Sequence, residues 1–254
     1  MKLFGRDLGT VLGAAFESRH YIAAANMLRV YKHPAQLYAR YLFGAGAYPA
    51  VVDVRTPTGW LSVNVYSHHD VLTVNEIFCR GDYRATEQDR VFVDFGSNIG
   101  ISAAFFLTRG PEGFAYLFEP LPQNTARLTA NLERFEGRYA LAEVAVGTQA
   151  GQVDFGWEDS GRYGGVGQKT GRYISVKCLD SNRVLDEIIQ RHGRIDVLKI
   201  DIETLEKAVT ERIPPELARH IGRIYAETSF ERNPFPATHT YRQYGPIATF
   251  LRRP

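Results

Sequence analysis

The sequence predicts an α/β fold in which a mostly parallel sheet is covered by helices on both faces. From Val91 onward, short apolar runs typical of strands alternate with amphipathic helices. In addition, "IDVLKIDIE" is a continuous apolar run of the kind found in strands that are buried on both faces. We therefore predict an α/β core over residues 90–254 and a helical and β-hairpin extension, docked on that core, over residues 1–89.

The extension is predicted from three kinds of segment. "YIAAANMLRVY" and "PAQLYARYLF" repeat apolar residues at three- and four-residue spacing, as helices do. Two β-branched runs are separated by Pro57-Thr58-Gly59, which predicts a hairpin. The next segment, "HHDVLTVNEIFCRGDYRA", predicts a short helix that ends near Gly81.

In the core, "VFVDF" predicts a strand that leads to a helix from about Ile101. "FAYLFE" predicts a second strand, and the helix after it has one apolar face made of Leu121, Leu128, Leu132 and Phe135. "YALAEVAV", "GQVDFGW" and "YISVKCL" are further predicted strands. "DSNRVLDEIIQRH" predicts a helix with Asp180 or Ser181 as its N-cap and Gly193 after its end. "GPIATFLRRP" predicts one strand of a final antiparallel hairpin, and we expect the other strand to be reduced.

Composition argues against several classes of protein. The net charge of +2 is too small to predict binding to nucleic acid. Cys79 and Cys178 are the only cysteines, so neither a disulfide framework nor a cysteine zinc site is expected. No run of 18 apolar residues occurs, and the N-terminal segment lacks the apolar core of a signal peptide. We therefore predict no membrane span and a cytoplasmic location.

The segment "RVFVDFGSNIGISAAFF" indicates a nucleotide cofactor. Gly96 and Gly100 follow the predicted strand, where glycines let the backbone turn sharply and approach a ligand. The spacing differs from the G-x-G-x-x-G of dinucleotide folds, which disfavours a nicotinamide-dependent dehydrogenase. Asp94 would repel a pyrophosphate, but it can hold an ammonium group or a water molecule. Glu119, at the end of the next strand, can accept both hydroxyls of a ribose. Together these features favour S-adenosylmethionine.

Four segments, in this order, resemble the FkbM family of S-adenosylmethionine-dependent methyltransferases: "VFVDFGSNIG", "LFEPLPQN", "EVAVGTQAGQVDF" and "IDVLKIDIETLE". The upstream "HHDVLTVNEIFCRGDY" is also similar to that family, and the resemblance covers roughly residues 50–230. It implies a Rossmann-like class I methyltransferase sheet. It also implies O-methylation of a small-molecule or sugar hydroxyl.

The resemblance implies a set of cofactor-binding residues. The turn after the first core strand would border the methionine end, Glu119 the ribose, and Ala145, after the third strand, the adenine. Glu76 and Tyr83 would approach the methionine amine or the substrate. The complete expected set is Glu76, Tyr83, Asp94, Gly96, Ser97, Asn98, Gly100, Glu119 and Ala145.

One position departs from the family pattern. The family continues Asp-x-Glu-Gly-x-Glu after the fourth strand, whereas Thr204 stands here in place of the glycine. If that glycine needs a positive φ, Thr204 strains the turn. We expect instead that the start of the next helix has shifted. The direction in which Glu203 points is then left open.

For catalysis, Asp201 is the first candidate for a base and Glu203 the second, because ligands of such sheets lie at the carboxyl ends of the strands. The less favoured alternative is that Asp201 merely caps the next helix. His68 and His69 precede Asp70 at the end of a predicted strand, so they point to opposite faces and are expected to be solvated. His239 is a further candidate with an expected structural role. A divalent cation on Asp201 and Glu203 is the less favoured alternative, and no metal site is predicted.

"GRYGGVGQKTGRY" lacks the glycine that a phosphate loop places before its lysine. The alternatives are a mobile loop that contacts an acceptor ring through Tyr163 and Tyr173, or an ordinary surface loop. The leading hypothesis for the whole chain is an O-methyltransferase whose partner is a small-molecule acceptor, a sugar or a natural product. N- or C-methylation and a non-catalytic S-adenosylmethionine-binding protein are the alternatives. We make no prediction of an oligomeric state.

Overall fold

In a computed structural model, the described residues are 2–3, 6–7, 18–158 and 164–254. The chain divides into two compact units, Met1–Arg84 and Ala85–Pro254. Within these described ranges, no helix is both long enough and apolar enough to cross a membrane.

The first unit contains the predicted helices and hairpin. Its elements are β1 (Lys2–Leu3), β2 (Arg6–Asp7), α1 (Ser18–Val30), α2 (Pro34–Phe43), β3 (Ala50–Thr56), β4 (Gly59–Val65) and α3 (His68–Asn75). β3 and β4 pair antiparallel from Ala50↔Val65 to Thr56↔Gly59, which confirms the predicted hairpin. α3 continues into a π-helical turn, Glu76–Arg80. Gly81, in the left-handed region, ends that turn, as predicted.

The two adjacent histidines, His68 and His69, lie in the first turn of α3. Ser67 is the N-cap of this helix and accepts a hydrogen bond from the backbone of Asp70, whose carboxylate accepts one from the backbone of Ser67. Their predicted position at the end of a strand is therefore wrong, because the capping box starts the helix at His68.

The second unit contains a large sheet with the strand order β14-β15-β13-β12-β5-β6-β7. Its strands are β5 (Val91–Phe95), β6 (Phe114–Phe118), β7 (Tyr139–Ala142), β12 (Ile195–Ile200), β13 (Ile221–Ala226), β14 (His239–Tyr244) and β15 (Ile247–Arg252). β13, β12, β5, β6 and β7 pair in parallel, and only β14 and β15 pair antiparallel. Every residue of β5 and β12 is buried, so the predicted α/β fold with a central parallel sheet is confirmed.

The second unit contains five helices among its described residues. They are α4 (Ile101–Leu107), α5 (Pro122–Leu132), α6 (Ser181–His192), α7 (Glu206–Arg212) and α8 (Pro215–Ala218). α5 is followed by a 3₁₀ turn, Glu133–Phe135, and the predicted apolar face is buried as a whole. Asp180 is the N-cap of α6 and accepts from the backbone of Arg183, while Gly193 closes the helix in the left-handed region. Both predicted ends of α6 are confirmed.

A second, four-stranded sheet has the order β10-β9-β11-β8. It consists of β8 (Ala145–Gly147), β9 (Gly151–Trp157), β10 (Gly164–Val166) and β11 (Tyr173–Asp180). The prediction of one strand over "YALAEVAV" is wrong, because the chain changes sheets at residues 143–144. The prediction of a reduced final hairpin is also wrong, since all six residues of β14 pair with β15.

Candidate active site

The turn after β5 brings two strand ends into contact. Gly96 has a φ of 82°, and a Cβ atom there would lie 1.7 Å from the backbone oxygen of Asp201. Only glycine fits such an approach. Asn98 also has a positive φ, and Gly100, with a φ of 83°, is the N-cap of α4. The predicted glycine turn is therefore a close junction between the ends of β5 and β12.

Ser97 fixes this turn to the neighbouring strand β6. Its hydroxyl donates to the backbone oxygen of Asp94 at 2.9 Å and accepts from the backbone N–H of Phe118 at 3.1 Å. The backbone N–H groups of Gly96 and Ser97 both donate to the oxygen of Phe118. The Ser97 side chain thus stabilises the turn from inside, and its contact with a cofactor stays a prediction.

Glu119 lies buried at the carboxyl end of β6. Its Oε1 accepts from the backbone N–H of Leu121 at 3.1 Å and from the side-chain amide of Asn124 at 3.2 Å. Its Oε2 accepts from the backbone N–H of Asn98 at 2.9 Å. A carboxylate has about four lone-pair positions, so Oε2 retains one for a further donor. Burial raises the pKa of Glu119 to about 7, although these hydrogen bonds oppose the rise.

A buried ion-pair network joins the ends of β5 and β12. The ammonium group of Lys199 lies 3.0 Å from Oδ1 of Asp94, 3.0 Å from the backbone oxygen of Gly96 and 3.1 Å from Oδ2 of Asp201. Ser102, in α4, donates to Oδ2 of Asp94 at 2.5 Å. Burial raises the pKa of Asp94, and Lys199 and Ser102 oppose that rise. Asp94 is therefore held by protein groups on both carboxylate oxygens, and its contact with a cofactor stays a prediction.

Sequence reasoning did not identify Lys199 as a site residue. The signal was present, since a lysine in the middle of the apolar run "VLKIDI" must be buried if that run is a central strand. A buried ammonium group requires acceptors. Those acceptors had to come from neighbouring strand ends, where Asp94 lies.

Asp201 follows β12 and is the partly exposed member of the network, with 29% of its side chain accessible. In the described part of the chain, its Oδ2 is bound to Lys199 and its Oδ1 has no hydrogen-bond partner. Its backbone N–H donates to Phe95. Asp201 thus presents one free carboxylate oxygen at the carboxyl edge of the large sheet.

The turn after Asp201 adopts the conformation of the missing glycine. Glu203 has a φ of 48° and Thr204 a φ of 73°, so both residues are left-handed. The expectation of a shifted helix start is therefore wrong: Thr204 takes the strained conformation. The Thr204 hydroxyl donates to the backbone oxygen of Val166 at 3.3 Å, and this contact restrains the turn. Burial raises the pKa of Glu206, and the nearby backbone N–H groups of Ile202, Glu203 and Glu206 itself oppose that rise.

The remaining predicted residues are Ala145 in the second unit and Glu76 and Tyr83 in the first. Ala145 is in β8, and its side chain packs in the apolar cluster of the small sheet, so only its backbone can contact a ligand. Glu76 forms an ion pair with Arg80, and Tyr83 is buried. Both belong to the first unit, and their approach to a cofactor stays a prediction, as does that of Ala145.

The other candidate groups are His239, Tyr163 and Tyr173. His239 is fully buried, and its ring nitrogens contact the Ile221 carbonyl oxygen and the Thr238 hydroxyl, so it has no exposed nitrogen to offer a substrate. Tyr173 begins β11 and is 52% exposed, whereas Tyr163 lies outside the described residues. Within the residues that the structure describes, no group of three or more His, Cys, Asp or Glu side chains is arranged to hold a metal ion.

Comparison with known protein families identifies one match. Residues 94–251 match the methyltransferase FkbM domain. The AMB antimetabolite synthetase AmbE of Pseudomonas aeruginosa is 21% identical over 204 residues, which are 73% of this chain and 9% of the synthetase. The 2-O-methyltransferase NoeI of Sinorhizobium fredii is 31% identical over 102 residues, which are 40% of this chain and 36% of that protein. The matches thus span well under half the length of both relatives.

Among solved structures, methyltransferase FkbM from Methylobacillus flagellatus aligns over 92% of this chain and 59% of its own length. The sequence identity is 14% and the TM-score is 0.44.

Proposed function

Because the chain belongs to the FkbM methyltransferase family, we propose that it is an S-adenosylmethionine-dependent O-methyltransferase that acts on a hydroxyl group of a small molecule. The fold is the Rossmann-like class I methyltransferase sheet. The observation that carries the proposal is a pair of carboxylates at the carboxyl edge of that sheet. Glu119 is enclosed and has one acceptor position left, and Asp201 is exposed on one oxygen.

The residues at this edge fit S-adenosylmethionine. Oε2 of Glu119 would accept a hydrogen bond from a ribose hydroxyl, and the turn from Gly96 to Gly100 would border the methionine end. Three carboxylates, those of Asp94, Glu119 and Asp201, outnumber the single ammonium group of Lys199, which suits a cationic ligand. When bound, the cofactor supplies an electrophilic methyl group on a sulfonium sulfur.

The chain's own residues would position the acceptor and take its proton. Oδ1 of Asp201 would accept a hydrogen bond from the acceptor hydroxyl and then its proton, which is worth about 10²–10⁴-fold in rate. Orientation of the acceptor against the methyl group would supply roughly 7–11 kcal/mol of the barrier reduction. Glu203 is the second candidate for the base.

The acceptor class is proposed from the names of the relatives. NoeI is a 2-O-methyltransferase, which supports oxygen as the acceptor atom, and AmbE is an antimetabolite synthetase, which supports natural-product chemistry. We accordingly propose a sugar, glycoside or natural-product intermediate as the acceptor. N- or C-methylation, which would not need a base at Asp201, is the alternative. The division at residue 89 and the cytoplasmic location remain predictions, and a divalent cation remains the less favoured alternative.

The first test is a calorimetric titration of the protein with S-adenosylhomocysteine, with NAD as the control ligand. We expect micromolar binding of S-adenosylhomocysteine alone. Glu119→Ala should raise its dissociation constant tenfold or more, because the enclosed acceptor is lost. Equal binding of both ligands, or of neither, would contradict the proposed cofactor. Methyl transfer to a panel of sugar and natural-product hydroxyls would then separate an enzyme from a non-catalytic binding protein.

A further inference from the structure

Lys199 is a buried cation in the middle of the large sheet. Only 5% of its side chain is exposed, and it lies on β12 between Asp94 of β5 and Tyr225 of β13. Its ammonium group reaches three oxygen atoms, which matches its three N–H donors. The three acceptors belong to a strand, to the turn after that strand, and to the end of β12 itself. Lys199 therefore ties three separate parts of the site together.

Stability alone does not explain a lysine at this position. A buried ion pair is weak evidence for stability, because an apolar residue in place of the lysine, with a neutral residue in place of its partner, is often as stable or more so. Val197, on the same face of β12, is apolar and fully buried, so the strand itself does not require a charge. What a charge at position 199 adds is its contacts with Asp94, the Gly96 oxygen and Asp201, and of the two carboxylates only that of Asp201 is partly exposed.

The two oxygens of Asp201 are in different situations. Oδ2 is bound by Lys199, and Oδ1 has no partner among the described residues. Because Lys199 holds Oδ2 in place, Oδ1 points in a fixed direction. In the proposed reaction, Oδ1 is the atom that meets the acceptor hydroxyl.

We propose that Lys199 is a positioning residue for methyl transfer, which orients the Asp201 carboxylate and joins it to the glycine turn. The connection continues through Asp94 to Ser102 of α4. It runs beside the contact between Gly96 and the Asp201 backbone oxygen, so the base and the turn are linked both through side chains and through the backbone. This inference rests on the proposed function.

The test is designed so that loss of Lys199 does not leave the buried Asp94 carboxylate without a partner. Lys199→Met by itself would strand Asp94, so its effect is measured in an Asp94→Asn background, and Asp94→Asn is the reference. The same pair of proteins is made with Asp201→Asn added. Lys177→Met, at an exposed position of β11, is the control for loss of a lysine elsewhere.

In the Asp94→Asn background, Lys199→Met should lower kcat tenfold or more and change the acceptor KM and the S-adenosylhomocysteine dissociation constant less than threefold. With Asp201→Asn present, Lys199→Met should cause no further loss, because a residue that acts only through Asp201 has nothing left to orient. An equal loss with and without Asp201, or no loss in either, would overturn the inference.

A second readout does not depend on turnover. The crystal structure of Asp94→Asn/Lys199→Met should show the Asp201 carboxylate displaced from its position in Asp94→Asn, and an unmoved carboxylate would overturn the inference. The melting temperature of Asp94→Asn/Lys199→Met should lie close to that of Asp94→Asn. Wild-type protein that fails to bind S-adenosylhomocysteine would instead overturn the proposed function and this inference with it. The two failures are therefore distinguishable.

Discussion

Two turns at the carboxyl edge of the large sheet both contain residues with positive φ values, but they use different residue types at these positions. The turn after β5 has positive φ values at Gly96, Asn98 and Gly100, and asparagine is, after glycine, among the residues that tolerate this region best. The turn after β12 has positive φ values at Glu203 and Thr204. The glycines of the first turn adopt this conformation without steric strain. The second turn is held in it by neighbouring groups, at a cost of order 1–3 kcal/mol for each of Glu203 and Thr204.

The difference shows what each turn requires. At Gly96 the requirement is space, because the backbone oxygen of Asp201 occupies the place of a side chain. At Thr204 the side chain is exposed and has room, so the requirement is conformational only. The hydrogen bond from Thr204 to Val166 supplies a restraint that a glycine would not need. The strain lies three residues from the proposed base.

The largest expected effect is at the turn that tolerates no side chain. Gly96→Ala should lower the free energy of unfolding by about 4 kcal/mol or more, because its Cβ would overlap the Asp201 backbone, and should abolish S-adenosylhomocysteine binding. That corresponds to a fall in melting temperature of roughly 8–16 °C. Gly137→Ala is the matched control, with a φ of 79° and open space around its Cβ, and should cost about 1–2 kcal/mol. Equal losses in both variants would refute the steric explanation.

In the proposed reaction, the turn after β5 borders the cofactor, and Asp201, before the second turn, is the base. Asp201→Asn tests this separation of binding from proton transfer. This variant should reduce kcat by about 10²–10⁴-fold, because an amide cannot take the acceptor proton. Its affinity for S-adenosylhomocysteine should stay within about threefold of wild type. Steady-state kinetics and calorimetry measure the two quantities. Normal turnover would remove Asp201 as the base and favour Glu203 or an N- or C-methylation that needs none.

Sequence patterns predicted the first turn and mispredicted the second for a physical reason. Gly96 and Gly100 are local signals, since glycine after a strand has few other uses. Thr204 carries no such signal, because the restraint on its conformation comes from Val166 of β10, which is distant in the sequence. Lys199 was missed for a related reason: two of its three acceptors, Asp94 and the Gly96 oxygen, belong to β5 and to the turn after it.

The course of the chain between sheets was equally hidden. "YALAEVAV" contains no glycine or proline to mark the change of sheet at residues 143–144. The strand over "HTYRQY" alternates polar and aromatic residues near a sheet edge, and its pairing depends on β15. Strand–helix alternation and helix caps were predictable because they rest on neighbours in the sequence. Tertiary pairing was not.

A smaller effect is the pH dependence of cofactor affinity. It depends on Glu119, whose carboxylate accepts a hydrogen bond from the backbone N–H of Asn98 in the first turn. Burial raises the pKa of Glu119 to about 7, and only its ionised form accepts from a ribose hydroxyl at full strength. The affinity for S-adenosylhomocysteine should therefore increase about tenfold between pH 6 and pH 8, as the ionised fraction rises from roughly 0.1 to 0.9. Calorimetry at both pH values measures this increase.

Glu119→Gln should bind weakly at both pH values and show no such increase, because its side chain does not titrate. The pKa of Glu119 is higher in the folded protein than in the unfolded chain. Its protonation therefore stabilises the fold at pH values below the pKa of the unfolded state, and this contribution is lost as the pH rises through about 7. The melting temperature of wild type relative to Glu119→Gln should thus decline from pH 5 to pH 8. A constant difference would contradict the assignment of this titration to Glu119.

The smallest effect is expected at the strained turn. Thr204→Gly should raise the free energy of unfolding by about 0.5–1 kcal/mol, since relief of the left-handed strain exceeds the loss of one exposed hydrogen bond and the added freedom of the unfolded chain. Thr129→Gly, at an exposed position in α5, should have the opposite sign. Urea denaturation measures both. A loss of stability in Thr204→Gly would mean that the bond to Val166 outweighs the strain.

The change of sheet between β7 and β8 has a consequence for how such a protein diversifies. The chain leaves the large sheet at Ala142 and re-enters it at Ile195, and the small sheet and α6 form one excursion between these points. Val146 anchors the excursion in the apolar core of the large sheet. Insertions, deletions or exchanges between β8 and α6 therefore leave the strand order of the large sheet intact. New surface can be added in this segment without a change in that strand order, whereas an exchange that removes Val166 of β10 would also remove its contact with Thr204 at the carboxyl edge.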